Sequence, residues 1–471
     1  MSAQRRVVLL LPFLEVGGAD KFNLDLAQQL VRRLGWQLTV ALTLPSANPW
    51  RPLFEAVTPD IVPLHPHVAP ADQPAFLRDL LRSRQADTLI VSHSELGYTL
   101  LPYLRAHCPG VALLDYLHIE EEHWRAGGYP RFSLEAAPFL DLSVTSSEHL
   151  RGWMLARGAD PARVAVCYTN IDAADWDPAR YDRGRLRRDL ALAPDEPAIL
   201  YAARLVPQKQ PRLLAAVARR LARSGARFTL LVAGDGPERA WLERFARRER
   251  LDSLRLLGAV SGERIRELMA AADIFFLPSQ HEGISLALFE AMAMGLAPVA
   301  ADVGGQRELL TPECGILVRR GPREEQDYAA ALAALIADPQ RRAAMGACAR
   351  RRVAEHFRLD QMGDRMAELI AQAHGLAARS PRPVAPEDAR RSAARAVKLS
   401  SELALARRMW GYDRPEGGEA DPGGRRLALA VLRGVKRALQ PAYRWVLARD
   451  QRYIPQLALR ARAALVRLLY R

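Results

Sequence analysis

Residues 271–302 read AADIFFLPSQHEGISLALFEAMAMGLAPVAAD. The apolar run Ala271–Ser279 predicts a buried strand, and a polar loop with a glycine then leads into an apolar helix. The first N–H groups of a helix have no intrahelical partner, so they can hold the oxygens of an anion that lies beyond the strand. Glu282 and Glu290 stand eight positions apart here, and carboxylates accept hydrogen bonds from sugar hydroxyls. The stretch therefore predicts a site for a nucleotide-sugar diphosphate, which carries both kinds of group.

Short Val/Leu/Ile runs alternate with helical patterns on both sides of this stretch. The runs begin with RVVLLLP in the N-terminal half and with PAILYAAR, from Pro197, in the C-terminal half. Strands flanked by helices in this way form parallel sheets. The expected fold class is therefore α/β, with two Rossmann-like doubly wound domains facing a cleft, since open α/β sheets bind ligands beyond the carboxyl ends of their strands. We expect domains at residues 1–180 and 181–375, with helices that include Glu324–Leu335 and Arg350–Ala373.

Positive charge is concentrated near the end of the chain. The 471 residues carry a formal net charge of +14. Residues 381–471 hold 20 Lys and Arg against 8 Asp and Glu, a net of +12, which leaves +2 for all the others. Uniform basicity would indicate nucleic acid, whereas a basic tail on a nearly neutral body indicates attachment to an acidic surface or partner. We therefore expect no nucleic-acid partner.

Pro, Gly and Arg are frequent beyond Gly375, which predicts a flexible linker over residues 376–426. A basic amphipathic helical tail is expected over residues 427–471, because Leu427 and Val431 begin an apolar series with four-residue spacing. Peripheral binding to an anionic membrane is one hypothesis for this tail. A helical cap folded onto the body and a partner-binding extension are the alternatives.

The cysteines and the apolar runs bear on the cellular location. Four cysteines without a CxxC pair indicate reduced thiols, so a cytoplasmic protein is expected, with the inner face of the cell membrane as a peripheral site. No uncharged apolar stretch approaches the roughly 20 residues that span a bilayer. The run Val7–Leu14 follows two arginines as in a signal peptide, but it lacks a small-residue cleavage site and is better interpreted as a first buried strand.

Two further motifs lie upstream, ARLVPQK (Ala203–Lys209) and VAGDGPE (Val232–Glu238). With the pair Glu282 and Glu290, they make residues 5–375 resemble the retaining, nucleotide-sugar-dependent glycosyltransferases of group 1, the family-4 type, which have the two-Rossmann GT-B fold. The resemblance implies transfer of a sugar from a nucleoside-diphosphate sugar to an acceptor hydroxyl, with retention at the anomeric carbon. The chain departs from the family pattern where alanine and glutamine replace two usual glycines, in ARLVPQK and directly after it.

Four residues are the candidate catalytic groups. Arg204 and Lys209 follow the predicted strand ILYAA, where two cations can face a diphosphate and stabilise the charge that develops as the glycosidic bond breaks. The resemblance implies that Glu282 contacts the hydroxyls of the donor sugar. It also implies that His118, which ends the predicted strand VALLDYLH, contacts that sugar or supports transfer. The alternatives are a structural ion pair or helix cap for Arg204 and a structural role for the histidine.

The resemblance also assigns residues to the two substrates. It implies that Glu290 binds the ribose of the nucleotide and that a glycine-containing loop closes over the diphosphate or the acceptor. The expected donor-binding residues are Gly17, Gly18, Gly283, Ile284, Ser285, Leu286 and Glu290. Charged and aromatic residues that follow His118 can line an acceptor pocket, with a solvated loop as the alternative. They are Glu120, Trp124 and Arg125, with Glu121 and His123 beside them.

The sequence therefore predicts an enzyme with a nucleotide-sugar donor and a glycan or lipid-linked acceptor, acting in the synthesis of cell-surface glycans or glycolipids. No cofactor is expected. No metal is expected either, because the spacing of His118 and the acids after it matches no zinc pattern and the resemblance implies transfer without an obligatory metal. Two other functions stay open, a nucleotide-sugar epimerase of similar fold and a non-catalytic nucleotide-sugar-binding scaffold.

Overall fold

The computed structural model describes residues 4–122 and 124–409, with side chains up to residue 405. The N-terminal half forms a parallel sheet whose strands are rich in apolar residues because helices cover both of its faces. In chain order its strands are β1 (Arg6–Leu11), β2 (Gln37–Leu42), β3 (Ile61–Pro63), β4 (Thr88–Ser92), β5 (Ala112–Leu117), β6 (Leu142–Thr145) and β7 (Val164–Val166). Their spatial order is β3-β2-β1-β4-β5-β6-β7. The sequence reasoning missed β3, because its three residues end in a proline, which argues against a strand.

Helices alternate with the strands of this first sheet. They are α1 (Gly18–Gln28), α2 (Arg51–Glu55), α3 (Gln73–Ser83), α4 (Glu95–His107), α5 (Tyr129–Ala136) and α6 (Glu148–Leu155). Serine caps explain where two of them begin. The Ser94 hydroxyl accepts the Gly97 N–H at 3.0 Å, and the Ser147 hydroxyl accepts the Leu150 N–H at 3.1 Å. Each cap satisfies an N–H group that has no acceptor within its own helix.

The C-terminal half repeats the pattern with a second parallel sheet. In chain order its elements are α7 (Arg183–Asp189), β8 (Ala198–Ala202), α8 (Pro211–Arg223), β9 (Thr229–Ala233), α9 (Arg239–Glu249), β10 (Leu254–Gly258), α10 (Gly262–Ala271), β11 (Ile274–Leu277), α11 (Leu286–Ala293), β12 (Ala297–Ala301), α12 (Gln306–Leu309), β13 (Ile316–Val318), α13 (Glu324–Ala337) and α14 (Pro339–His356). The spatial order of the strands is β10-β9-β8-β11-β12-β13. Both expected Rossmann-like sheets are therefore confirmed.

In each sheet the strand order reverses beside the first strand, between β1 and β4 and between β8 and β11. Such a switch point opens a crevice at the carboxyl ends of the strands, which is where open α/β sheets bind ligands. The loops that follow β1, β8 and β11 carry Gly17, Arg204 and Glu282, respectively. Each sheet therefore presents its predicted site residues at its carboxyl edge.

The chain crosses between the two sheets twice, and the crossing segments are hydrogen-bonded to each other. The Ile171 N–H donates to the Phe357 carbonyl at 3.0 Å, and the Leu359 N–H donates to the Ile171 carbonyl at 3.0 Å. The second crossing separates α14 from helix α15 (Leu359–Arg379). The expected single helix Arg350–Ala373 is therefore wrong, because its middle is the extended return to the first sheet.

Helix α15 completes the core of the first sheet, although most of it lies within the range 181–375 that was expected to form the second domain. Its residues Met366, Leu369 and Ile370 are fully buried in the same cluster as the strand residues Leu9 and Leu114. Because this packing joins residues far apart in the chain, it follows from the tertiary structure and has no local signal in the sequence.

Helix α16 (Pro386–Met409) occupies much of the segment expected to be a flexible linker, so that expectation is wrong for these residues. Ala389 and Ala396 are buried, and the Ser392 hydroxyl donates to the Thr99 carbonyl at 2.8 Å. The many alanines of this segment favour a helix more strongly than its proline and arginine content favours a flexible chain. The rest of the linker and the expected tail lie outside the described residues. Among the helices that the structure describes, none combines the length and the apolar composition needed to cross a bilayer.

The packing of α15 predicts how a shortened side chain in this helix changes the stability of the protein. Replacement Leu369→Ala should lower the free energy of unfolding by about 2–5 kcal/mol, because it opens a cavity beneath a fully buried side chain. Replacement Glu368→Ala at the neighbouring exposed position should change that free energy by less than about 0.5 kcal/mol. Urea unfolding of both variants measures the difference, and equal stabilities would contradict the packing of α15 on the first sheet.

Candidate active site

The loop after β8 carries Arg204 and is held by the glycine-containing loop after β9. The Leu205 N–H donates to the Asp235 carbonyl at 2.8 Å. An ideal Cβ on Gly234 would lie 2.0 Å from the Ala203 carbonyl oxygen, and one on Gly236 would lie 2.6 Å from the Leu205 carbonyl oxygen. Glycine is therefore required at both positions for the two loops to approach. The motif VAGDGPE thus positions ARLVPQK.

Lys209 forms an ion pair with Glu282, which joins the loop after β8 to the loop after β11. The Gln280 N–H donates to the Gln208 carbonyl at 2.6 Å, and the Gln208 side chain donates to the His281 carbonyl at 3.1 Å. Only 16% of the Lys209 side chain and 8% of the Glu282 side chain are exposed. Two of the predicted catalytic residues are therefore in direct contact, and each offsets the charge of the other.

Arg204 differs from Lys209 in its surroundings. Its side chain is exposed, and no ion pair with it is present among the residues that the structure describes. The backbone carbonyl of Arg204 accepts the Tyr201 hydroxyl at 3.3 Å, which fixes the main chain below it. The alternative in which Arg204 pairs with an acid has no support in the described part of the chain. Its guanidinium is available to an anion at the carboxyl edge of the second sheet.

The expected donor loop, residues 283–286, is pressed against the first sheet. An ideal Cβ on Gly283 would lie 2.0 Å from the His118 carbonyl oxygen, and one on Gly18 would lie 3.6 Å from a methyl group of Leu286. Helix α11 begins at Leu286, and its N-cap Ser285 makes no side-chain cap. The Leu288 N–H donates to the Ser285 carbonyl at 3.1 Å, whereas the N–H groups of Leu286 and Ala287 have no acceptor among the described residues and are open to an external one.

Glu290 lies on α11 and is half-buried. Burial raises the pKa of Glu290 to about 7, although the positive charges of Lys21 and Arg266 oppose this rise. Lys21 itself pairs with Asp25 on α1. Two cations therefore act on Glu290. The raised pKa indicates that these cations only partly compensate the carboxylate.

Gly17 is the N-cap of α1 and Gly18 is its first residue, and an aspartate that the sequence reasoning missed follows them. Asp20 is buried, and burial raises its pKa to about 6 although its carboxylate accepts the backbone N–H of Glu15. It therefore clamps the loop that contains the two glycines. An acid in the first turn of a helix that follows a double glycine was the available signal.

His118 lies directly after β5, and its ring is packed on three sides. Its Nε2 atom lies 3.2 Å from the Ser92 hydroxyl, and its ring centroid lies 5.3 Å from that of Phe22 and 4.6 Å from that of His93. Burial holds the pKa of His118 well below its usual value, and the charge of His93 acts in the same direction. The imidazole is therefore neutral at physiological pH and can serve as a hydrogen-bonding group.

His93 is a second histidine of this region that the sequence reasoning missed. Its backbone has a φ of +56°, and burial lowers its pKa to about 4. Its ring stacks on Tyr129 at a centroid distance of 4.5 Å, and Tyr129 in turn meets the edge of Trp124 at 5.1 Å. A series of rings therefore connects the acceptor candidate Trp124 to His118.

The other acceptor candidates are engaged by neighbouring residues. One oxygen of Glu120 lies 2.8 Å from His149 Nε2, and the other is buried without a partner among the described residues. The Arg125 guanidinium pairs with Glu95 at 2.9 Å and lies over the Phe132 ring. Arg125 is thus held in a structural ion pair, whereas Glu120 keeps an unused oxygen. His123 lies outside the described residues, and within them no group of His, Cys, Asp and Glu is arranged to hold a metal ion.

A known protein family matches the C-terminal half of the chain. Residues 182–352 match the family model described as glycosyl transferases group 1. A D-inositol 3-phosphate glycosyltransferase of Geodermatophilus obscurus is 36% identical over 239 residues, which cover 48% of this chain and 51% of the relative. The chain thus spans about half the length of that relative. An alpha-maltose-1-phosphate synthase of Mycobacterium tuberculosis is 30% identical over 306 residues, covering 59% of this chain and 78% of the relative.

Solved structures show the same fold over a longer part of the chain. HepE of Anabaena in complex with UDP superposes with a TM-score of 0.67 over 78% of this chain and 99% of its own, at 21% identity. Sucrose-phosphate synthase of Thermosynechococcus elongatus superposes with a TM-score of 0.62 over 79% of this chain and 100% of its own, at 20% identity. These likenesses confirm the GT-B fold.

The raised pKa of Glu290 predicts a pH-dependent stability. The folded protein holds this proton more tightly than the unfolded chain, whose carboxyl titrates near 4.5, so the stability contributed by protonation is lost as pH rises through about 7. Replacement Glu290→Gln should therefore raise the free energy of unfolding by up to about 3 kcal/mol at pH 8 and by less than about 1 kcal/mol at pH 5. Urea unfolding of both proteins at the two pH values measures this, and a pH-independent difference would contradict it.

Proposed function

Because the chain belongs to the group 1 glycosyltransferases, we propose that it transfers a sugar from a nucleoside-diphosphate sugar to an acceptor hydroxyl with retention at the anomeric carbon. The observation that carries this proposal is the contact of Lys209 with Glu282 beside the exposed Arg204, at the carboxyl edge of the second sheet. A site with two cations, an acid and free helix N–H groups offers partners to both the diphosphate and the sugar.

In the proposed reaction, the bond between the anomeric carbon and the diphosphate oxygen breaks as the acceptor oxygen bonds to that carbon from the same face. The acceptor proton passes to an oxygen of the leaving diphosphate. Arg204 and Lys209 stabilise the charge that collects on this diphosphate. Glu282 orients the sugar through its hydroxyls and keeps Lys209 in place. The neutral ring of His118 supplies a hydrogen-bonding group without adding charge to the sugar site.

The same site and the relatives support a proposal for the donor and acceptor classes. We propose that Glu290 accepts hydrogen bonds from the ribose and that residues 283–286 hold the sugar and phosphate, with no cofactor. The solved Anabaena neighbour binds UDP, which supports a nucleoside diphosphate as the leaving group. Relatives named for inositol phosphate and phosphatidylinositol mannoside acceptors support a phosphorylated or lipid-linked acceptor. Synthesis of a cell-surface glycan or glycolipid on the cytoplasmic side of the membrane fits this chemistry.

Replacement Arg204→Ala is the sharpest test of the catalytic role. Turnover should fall by about 10²-fold to 10³-fold, because the variant loses a cation that faces the departing diphosphate. Replacement Arg212→Ala serves as the control, since that arginine is exposed and pairs with Glu238. A loss of turnover in Lys209→Ala would be harder to interpret, because this replacement also leaves the buried Glu282 carboxylate unpaired.

The assay supplies UDP-, GDP- and ADP-sugars with candidate acceptors and identifies the products. Release of a nucleoside diphosphate together with a glycosylated acceptor supports transfer, and the anomeric proton of the first product reports retention or inversion. An isomerised donor would indicate an epimerase. Donor binding without any turnover would indicate a binding scaffold. Unchanged turnover in Arg204→Ala would remove the proposed catalytic role of that residue.

For the basic tail, which lies outside the described residues, we propose peripheral binding to an anionic membrane. Each basic residue near such a surface contributes about 1 kcal/mol of attraction, which salt weakens. The full chain should therefore co-sediment with vesicles that contain phosphatidylglycerol, whereas a chain that ends after Met409 and keeps α16 should bind much less. Neutral vesicles are the control, and equal binding of the two chains would contradict the proposal.

A further inference from the structure

Glu308 lies on helix α12 of the C-terminal half and contacts helix α6 of the N-terminal half. Its Oε2 atom accepts the Glu148 N–H at 2.8 Å, and its Oε1 atom accepts the His149 N–H at 2.8 Å. The Tyr168 hydroxyl also donates to Oε2 at 2.8 Å. The first N–H groups of α6 have no acceptor within the helix, and a carboxylate at a helix N-terminus also interacts favourably with the helix dipole. One side chain of the second half therefore caps a helix of the first half.

The segment that carries Glu308 is fixed on its own side of the cleft. The Arg352 side chain donates to the Glu308 carbonyl at 2.8 Å and to the Leu309 carbonyl at 2.8 Å. An ideal Cβ on Gly305 would lie 2.6 Å from atoms of both Ile284 and Ser147. The residues just before Glu308 therefore fill the space between the expected donor loop and the start of α6. Any opening of the cleft at this point would separate Glu308 from α6.

Helix α6 connects Glu308 to the residues around His118. His149, whose N–H is capped by Glu308, holds Glu120 through its Nε2 atom at 2.8 Å. Its pKa is raised chiefly by that hydrogen bond, with the charge of Glu308 acting in the same direction. The His118 carbonyl accepts the Ser146 hydroxyl at 2.8 Å. Positions on both sides of the start of α6 are thus tied to the segment His118–Glu120.

We propose that Glu308 is a positioning residue that latches the second sheet onto helix α6, so that closure of the cleft places His118 and Glu120 opposite the donor loop. Glu308 acts through the backbone of α6. Its exposed neighbour Arg307 pairs with Asp302 and leaves the Glu308 carboxylate to the helix. The effect on turnover rests on the proposed glycosyl transfer, whereas the latch itself does not.

Residue-resolved hydrogen exchange of the full chain tests the latch without any substrate. In the wild-type protein the amides of Glu148 and His149 should exchange slowly, because the Glu308 carboxylate accepts a hydrogen bond from each of them. Replacement Glu308→Ala should make both amides exchange at least about tenfold faster, while the amides of β1 and β4 keep their protection and show that the fold is intact. Replacement Glu313→Ala, at an exposed acid a few residues away, should leave Glu148 and His149 unchanged.

Replacement Glu308→Gln is the conservative variant, because it preserves the size of the side chain and one acceptor oxygen, and it should lose only part of the protection. Fast exchange of the two amides in the wild-type protein, or slow exchange in Glu308→Ala, would overturn the latch.

A kinetic measurement then separates the latch from the proposed function. With a confirmed donor and acceptor, Glu308→Ala should lower kcat by about tenfold and change the donor KM by less than about threefold, since most of the expected donor-binding residues lie in the C-terminal half, on the same side of the cleft as Glu308. A change confined to KM, or no change in either constant, would overturn the positioning role. Absence of turnover in the wild-type protein would count against the proposed function and would leave the exchange result standing.

Discussion

The backbone of Gly283 lies against the carbonyl group of His118, and the arrangement of the candidate site depends on this approach. An ideal Cβ on Gly283 would lie 2.0 Å from that oxygen, so a larger residue would force the two sheets apart. Because the backbones meet here, the loop that holds the ion pair of Lys209 with Glu282 comes to lie beside His118, which directly follows strand β5 of the first sheet. A second glycine, Gly305, lies equally close to the side chains of Ile284 and Ser147 at the start of α6, where a Cβ atom would lie 2.6 Å from both.

The negative charges of the acidic side chains in this crevice are balanced to different degrees by nearby cations. Glu282 is neutralised by Lys209, whereas Glu290 has only more distant cations and keeps a raised pKa of about 7. A buried carboxylate without a full partner is costly, and sugar and ribose hydroxyls are the groups that would satisfy it. The charges therefore favour a ligand that brings hydroxyl donors to the acids and phosphate to Arg204 and to the start of α11.

Much of the fold and part of the site were predictable from local patterns. Apolar runs revealed the long strands, and three motifs in order revealed the second sheet and its loops. The return helix α15 and the helix α16 were missed or misplaced, because their packing depends on contacts with residues far away in the chain. Glu308 and His149 have no local signal at all, since their roles arise only where the two sheets meet. The expected roles of the individual site residues stay predictions.

The sequence by itself determined the class of the sheets, the positions of most of their strands and the kinds of chemical group at their carboxyl edges. These follow from periodicity, glycine placement and charge, all of which act over a few neighbouring residues. Only the tertiary structure decided which groups are paired, and which remain open to a ligand. Arg125 is held by Glu95 and Lys209 by Glu282, whereas Arg204 stays exposed. The physical reason is that pairing and burial depend on distances between segments that are remote in the chain.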